Sequence, residues 1–258
     1  MNKETYCSAG VKYKLDDLYG YLDSLIRSRV SSAYKYGCDV VLDNQIKTKT
    51  VMDLGSCHGH GVKQIKSRLE PDLLISSDRW CDFLKIQKRI IGNGDLTDKI
   101  CYLGLNSPNL PMARSSLDGV FALHMIEHVD NPFEMLRSIK RIVGERGWII
   151  LATPNLRNIV GNNRDDINIY TGESLGRLLD KIGNDLAIFY INADEKAMKV
   201  HQRKKWLATN FPMSGELRKK INWVFWDKVV LRANLTQENF LLSNKETSNS
   251  IDILALVN

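Results

Sequence analysis

The chain has 258 residues, 43% hydrophobic and 26% charged, with a net charge of +6, which fits an ordinary globular protein able to bury a sizeable core. No apolar run approaches the ~18 residues of a membrane span, and the opening MNKETYCSAG lacks the basic-then-apolar pattern of a signal peptide. Five scattered cysteines (Cys7, Cys38, Cys57, Cys81 and Cys101) with no C-x-x-C spacing argue against a disulfide framework or structural zinc site, and for a cytoplasmic location.

Residues 15–43 carry apolar positions at three- and four-residue spacing, which predicts N-terminal helices. From there strands and helices alternate. TVMDL (50–54) reads as a strand, HGVKQIKSRL (60–69) as a helix, DLLISS (72–77) as a strand and RWCDFLKIQKRII (79–91) as a helix. KICYL (99–103) and DGVFALH (118–124) are further strands; PFEMLRSIKRIV (132–143) is a helix opened by proline and closed by Gly144. GWIILAT (147–153) is a buried strand, TGESLGRLLDKIG (171–183) a helix capped by Thr171, and LAIFYIN (186–192) a strand. A polar, basic stretch to about residue 250 is too long for a hairpin loop and is expected to be a helical insertion before a last strand in SIDILALVN. Such alternation predicts an α/β fold with a doubly wound, mostly parallel sheet.

VMDLGSCHGHG (51–61) joins the first of these strands to its helix, with glycines at 55, 59 and 61. Glycine permits a sharp turn and close approach of a ligand, and the helix N-terminus beyond offers N–H groups. A dinucleotide fingerprint from Gly55 would need glycines where Cys57 and His60 stand, and no Gly-Lys-Ser/Thr of a P-loop follows. His58 and His60 flank this loop and are expected to be solvated. Trp80 reads either as a cover for an adenine face or as core.

What remains, D-x-G-x-x-x-G from Asp53 to Gly59, resembles the first motif of class I S-adenosylmethionine (SAM) dependent methyltransferases. Asp78 closes the second strand, where that family carries an acidic residue for the ribose hydroxyls. The block NSPNLPMARSSLDGVFALHMIEHVDNPFEMLRSIKRIVGERGWIILATPN (106–155) is similar to the family's type-11 branch. The resemblance covers residues 48–192 and, weakly, the tail 234–258, which is similar to members found among surface-polysaccharide genes. It implies a Rossmann-like seven-stranded sheet of order 3-2-1-4-5-7-6 with an antiparallel last strand. The expected units are an N-terminal helical cap (1–47), a SAM-binding core (48–192), a basic helical insertion or lid (193–250) and a final core strand (251–258). The resemblance implies SAM as cofactor and S-adenosyl-L-homocysteine as product. Asp53, Gly55, Ser56, Cys57 and Gly59 would form its loop, Asp78 and Arg79 would lie at the ribose, Asn106 at the adenine and His124 at the methionine part. Three positions depart from the family: Cys57 stands for glycine, Asn106 for aspartate, and Gly147-Trp148 for Gly-Gly, the last implying a change confined to a turn.

HMIEH (124–128) fits the H-x-x-E-H of an inverted zinc peptidase, but that site needs both histidines on one helix face, and His124 is expected at a strand end. Glu127-His128 then has three readings. The pair is structural; or His128 is a general base for an acceptor hydroxyl; or the segment binds a divalent ion, as in relatives that carry glutamate where His124 stands. The catalytic reading of Glu127 and His128, with no metal, is carried forward. Asn155 and Tyr170, flanking the polar loop after the fifth core strand, are expected to contact substrate.

The implied reaction is O-methylation of a sugar hydroxyl on a glycan, nucleotide-sugar or lipid-linked intermediate. The alternatives are an RNA 2′-O-methyltransferase and a non-catalytic SAM-binding protein. Residues 196–258 hold 11 Lys/Arg against 5 Asp/Glu and so carry the whole charge excess. With Trp206, Trp223 and Trp226 among basic clusters at 203–205 and 218–220, the segment 196–232 is expected either to be a solvated face or to dock an anionic acceptor or a membrane surface. No RNA-binding module accompanies it, which argues against nucleic acid as a partner.

Overall fold

A computed structural model describes residues 4–6, 12–14, 24–91, 99–106, 108–159, 166–183, 185–210 and 232–258. Cys7, the 218–220 cluster and the tryptophans at 223 and 226 lie outside them. The first described element is a short antiparallel hairpin, β1 (Glu4–Tyr6) and β2 (Lys12–Lys14), followed by helix α1 (Ser24–Asp43).

The core then alternates β3 (Thr50–Leu54), α2 (His60–Leu69), β4 (Leu73–Asp78), α3 (Cys81–Ile91), β5 (Ile100–Gly104), β6 (Gly119–Leu123), α4 (Pro132–Val143), β7 (Trp148–Pro154), α5 (Gly172–Leu179) and β8 (Leu186–Ala193). Helix α6 (Glu195–Asn210), β9 (Phe240–Ser243) and β10 (Ser250–Val257) complete it. Eight strands form one sheet in the order β5-β4-β3-β6-β7-β10-β8-β9. Pairings from β5 to β7 are parallel; β10 runs antiparallel to both β7 and β8. The first seven reproduce the order 3-2-1-4-5-7-6 with its antiparallel last strand.

β9 is an addition. It pairs antiparallel with the outer side of β8, so the stretch after α6 is not helical throughout. Phe240 is fully buried and Leu241 is 59% exposed, the alternation of a strand with one covered face.

Strand alternation sends side chains to two separate cores. Phe121, Leu123, Ile150, Leu254 and Leu256 pack under α1, α2 and α6; Val120, Ala122, Ile149, Leu151 and Ile253 pack under α4 and α5. Helix α4 fits its sequence signals: Asn131 accepts from Glu134 N, Pro132 occupies the first turn, and Gly144 ends the helix at φ +73°. Helix α5 carries the reciprocal Thr171–Ser174 cap.

The Gly147-Trp148 departure reaches beyond a turn. Trp148 is fully buried, stands edge-on to Phe121 with centroids 5.2 Å apart, and donates from Nε1 to Lys47 O at 2.8 Å. A Cβ on Gly119 of the neighbouring strand would fall 2.0 Å from the indole, so the tryptophan occupies space that a side chain would otherwise fill.

Candidate cofactor and acceptor site

The carboxyl ends of β3, β4, β6 and β7 lie side by side, and the chain reverses its winding direction between β3 and β6. In an open parallel sheet that is where a ligand crevice forms. The loop after β3 is pinned there: Gly55 N and Ser56 N both donate to Ser77 O of β4 at 2.9 Å. Gly55 sits at φ +77°, and its missing Cβ would lie 3.2 Å from the Met125 thioether. Cys57 adopts φ +46°, a left-handed conformation that glycine would take up at less steric cost. Beneath the loop, Gln87 of α3 donates to Ser56 Oγ (2.8 Å) and Cys57 O (2.6 Å), and Ser76 Oγ lies 2.7 Å from Gln87 Oε1.

Asp53 is fully buried below this loop. Its Oδ1 accepts from Tyr34 of α1 at 2.8 Å, and its Oδ2 has no partner within the protein. Burial pushes the carboxyl up to about 7, against the pull of the Tyr34 hydrogen bond. Asp78 ends β4 with Oδ2 accepting from Cys57 N (3.0 Å) and Oδ1 from Trp80 N (2.8 Å). Burial raises its pKa, partly countered by those N–H groups. Each oxygen keeps a second lone pair for a hydroxyl donor. Leu105 N donates to Asp78 O, which brings exposed Asn106 to the neighbouring strand exit. Trp80 is 49% exposed, which excludes the core reading, and the Arg79 guanidinium lies 5.2 Å over its ring.

The two loop histidines correct an expectation. His58 is buried, its ring 4.7 Å from that of Phe83 and its Nδ1 3.0 Å from Cys57 Sγ. Burial lowers both His58 and His60 to about 4, so both are neutral where solvation would leave them near the ordinary value. The sequence hides this because Phe83 arrives from another element.

His124 follows β6 at φ +52°, and residues 126–128 form a single 3-10 turn. The two histidines therefore do not share a helix face, and the peptidase arrangement is absent. Among the described residues no group of three or more His, Cys, Asp or Glu is arranged to hold a metal ion. Glu127 is buried, accepts from Thr153 Oγ1 at 3.2 Å, and has Oε1 3.7 Å from His124 Nδ1. Burial raises its pKa, but His124 and His128 outweigh it and leave the carboxyl below its usual range. Its main-chain oxygen accepts from Ile167 N and Asn168 N, which fastens the loop after β7 against this turn. That loop places Asp166 Oδ1 3.2 Å from His128 Nδ1, and the His128 side chain is 36% exposed.

Asn155 and Tyr170 are joined by a parallel bridge. Asn155 is fully buried; its amide donates to Glu246 Oε1 (2.9 Å) and Ser250 O (3.1 Å), which ties β7 to the start of β10. Both amide protons are thus engaged inside the protein. Tyr170 differs: its hydroxyl is buried with no partner, and burial followed by the Glu127 charge pushes its pKa up to about 12. Sequence reasoning missed Arg29 and Asp252 and gave Asp166 no role. Only Asp252 left a signal, as a carboxylate inside the apolar run of β10. It is fully buried, with Arg29 Nε 3.1 Å and His124 Nε2 3.9 Å from its Oδ2. Buried polar atoms left unsatisfied cost roughly 1–3 kcal/mol each, so such a group at a strand end stands out.

Residues 52–151 match the type-11 model described as "Methyltransferase domain". The chain carries a class I SAM-dependent methyltransferase domain. Solved structures share its fold. A SAM-dependent methyltransferase from Thermotoga maritima superposes with a TM-score of 0.56 at 12% identity, over 90% of this chain and 91% of its own. One from Archaeoglobus fulgidus gives 0.50 at 16%, over 87% and 93%. The [4+2]-cyclase SpnF gives 0.55 at 12%, over 86% and 80%. No curated protein matches the sequence. The methyltransferase uses SAM, and its residues fit that cofactor. Asp78 would hold the ribose diol, Asn106 would face the adenine, and the left-handed loop from Gly55 to Gly59 would lie along the methionine part. No helix among the described residues is long and apolar enough to cross a membrane.

Proposed function

We propose that this methyltransferase O-methylates a sugar hydroxyl on a glycan, nucleotide-sugar or lipid-linked intermediate, with His128 as general base. The 3.2 Å contact between His128 Nδ1 and Asp166 Oδ1 carries the reading. A carboxylate on Nδ1 fixes the ring so that Nδ1 holds the proton and Nε2 is the basic nitrogen. It also stabilises the imidazolium that forms when Nε2 takes the hydroxyl proton. SAM, when bound, supplies an electrophilic methyl group on a sulfonium. The protein then has two tasks, alignment of the hydroxyl and removal of its proton. Glu127 holds the turn that carries His128 through its main-chain and side-chain bonds.

Helices α1 and α6 pack on one face of this core, and the basic face of α6 receives the anionic part of the acceptor. A cytoplasmic location agrees with Cys38, Cys81 and Cys101 being free thiols.

The test is transfer of labelled methyl from SAM to a panel of nucleotide-sugars. His128→Gln is expected to lower kcat by 10²–10⁴-fold, in the range typical of a lost general base, while SAM affinity measured by calorimetry is unchanged. Asp166→Asn lowers kcat less and keeps SAM affinity. Full turnover in His128→Gln would remove the proposed base.

A further inference from the structure

Beside His128 the cleft holds polar groups that the protein does not itself satisfy. Asp252, near the start of β10, is in register with Pro154 at the end of β7, and Tyr170 bridges to the next residue, Asn155. Two elements therefore bring a carboxylate and a phenol to one corner. Arg29 of α1 reaches the same corner at 3.1 Å from Asp252, and His124 stands between Asp252 (3.9 Å) and Glu127 (3.7 Å). Arg29 and Asp252 Oδ2 thus form a buried ion pair with His124 within reach of both carboxylates, while Asp252 Oδ1 and Tyr170 Oη are buried without a hydrogen-bond partner. The Arg29 and His124 side chains remain 19% and 12% exposed.

The chemistry of the set selects its ligand. The single guanidinium is already paired with Asp252, and Glu127 lies beside it, so a further anionic group finds no unpaired cation in this corner. An alcohol suits both sides, since it donates to a carboxylate and accepts from a phenol or guanidinium. The Tyr170 pKa of about 12 keeps that phenol protonated as a donor.

We propose that Arg29, His124, Tyr170 and Asp252 form an acceptor subsite that takes neighbouring hydroxyls of an uncharged sugar ring and turns one of them toward His128. This rests on the hydroxyl acceptor proposed above and adds that the reacting ring bears no acid, any anionic portion lying outside this corner. Specificity follows from the same atoms: a ligand lacking the hydroxyls leaves buried polar groups unpaired.

Binding and turnover separate the two ideas. Saturation-transfer NMR on the complex with S-adenosyl-L-homocysteine would use UDP-glucose and UDP-glucuronate, which differ at the ring by one carboxylate. UDP-glucose is expected to show saturation on its sugar protons and to bind at least tenfold more tightly than UDP-glucuronate. Tyr170→Phe removes only a hydroxyl with no internal partner, so it should fold and weaken UDP-glucose about tenfold. Asp252→Asn should act in the same direction. Equal binding of the two probes, no ring contact from UDP-glucose, or a Tyr170→Phe protein that binds like wild type would each overturn the subsite. Ring binding that is lost in Tyr170→Phe, without methyl transfer to any sugar, would keep the subsite and overturn the O-methylation reading instead.

Discussion

Tyr34 of helix α1 donates a 2.8 Å hydrogen bond to Asp53 Oδ1, joining the segment before the sheet to the carboxylate beneath the cofactor loop. Asp53 has a folded-state pKa of about 7, well above that of an unfolded aspartate, because burial disfavours its charge. The folded protein then binds a proton that the unfolded chain has released, so this group's contribution to stability falls as pH rises from about 4 through about 7. Above that window Asp53 is charged and depends on Tyr34. Tyr34→Phe is expected to cost roughly 1.5–3 kcal/mol at pH 8.5 and about 1 kcal/mol at pH 5.5, where the bond is between neutral groups. Urea denaturation at the two pH values measures the difference; equal losses would mean that the carboxyl does not titrate in this range.

Gly61→Ala sets two effects against each other. In the first turn of α2, alanine improves helix propensity by about 1 kcal/mol. A Cβ there would lie 2.0 Å from Tyr34 Cε1, so the ring must move and strain its bond to Asp53. Overpacking of this kind costs typically 1–3 kcal/mol, and the lost hydrogen bond adds to it. Net destabilisation of about 1–3 kcal/mol is expected from thermal melts; a stabilised variant would show that α1 can shift freely over α2.

Asp78→Ala should weaken SAM about ten- to a hundredfold by calorimetry, because charge-assisted hydrogen bonds of ~1.5–3 kcal/mol to the ribose are lost. Part of that loss comes through the loop, since Asp78 also accepts from Cys57 N and Trp80 N. Asp78→Asn keeps one acceptor oxygen and should fall between the two. Unchanged affinity in Asp78→Ala would contradict the ribose assignment.

These outcomes depend on contacts of very different legibility. Helix α4 was readable because Asn131, Pro132 and Gly144 mark its ends and its apolar positions share one face. The loop from Gly55 to Gly59 was readable because its glycines fall between a strand and a helix. β9 was not, since four residues carry too little periodicity and its place depends on β8, far earlier in the chain. The same limit hid the partners at the acceptor corner. Asp252 stands out within an apolar run, but nothing in the run says that Arg29 will meet it. His128 was legible as a base, yet its orienting partner Asp166 is delivered by a loop fastened to Glu127 through main-chain bonds, which no side-chain pattern encodes.

The net positive charge of the chain lies beyond residue 195. Helix α6 presents Arg203, Lys205 and Trp206 on an exposed face. Its other side is anchored: His201 is buried, with Nε2 2.5 Å from Asn158 O in the loop after β7. Burial, then the Arg29 charge, lowers His201 to about 4, so it is neutral at working pH and donates this bond as a fixed strut. The cationic face is therefore held at a set position relative to the acceptor corner, which itself disfavours an acid. A phosphate-linked acceptor would satisfy both, with its neutral ring inside and its anionic portion against α6. Charge reversal by Arg203→Glu with Lys205→Glu is expected to raise the acceptor KM severalfold and leave SAM affinity alone. The wild-type KM should rise between 50 and 500 mM salt as the Debye length shrinks from roughly 14 to 4 Å. The reversed variant should lose most of that salt dependence. An acceptor KM indifferent to both salt and charge reversal would leave α6 as a solvated face with no part in binding.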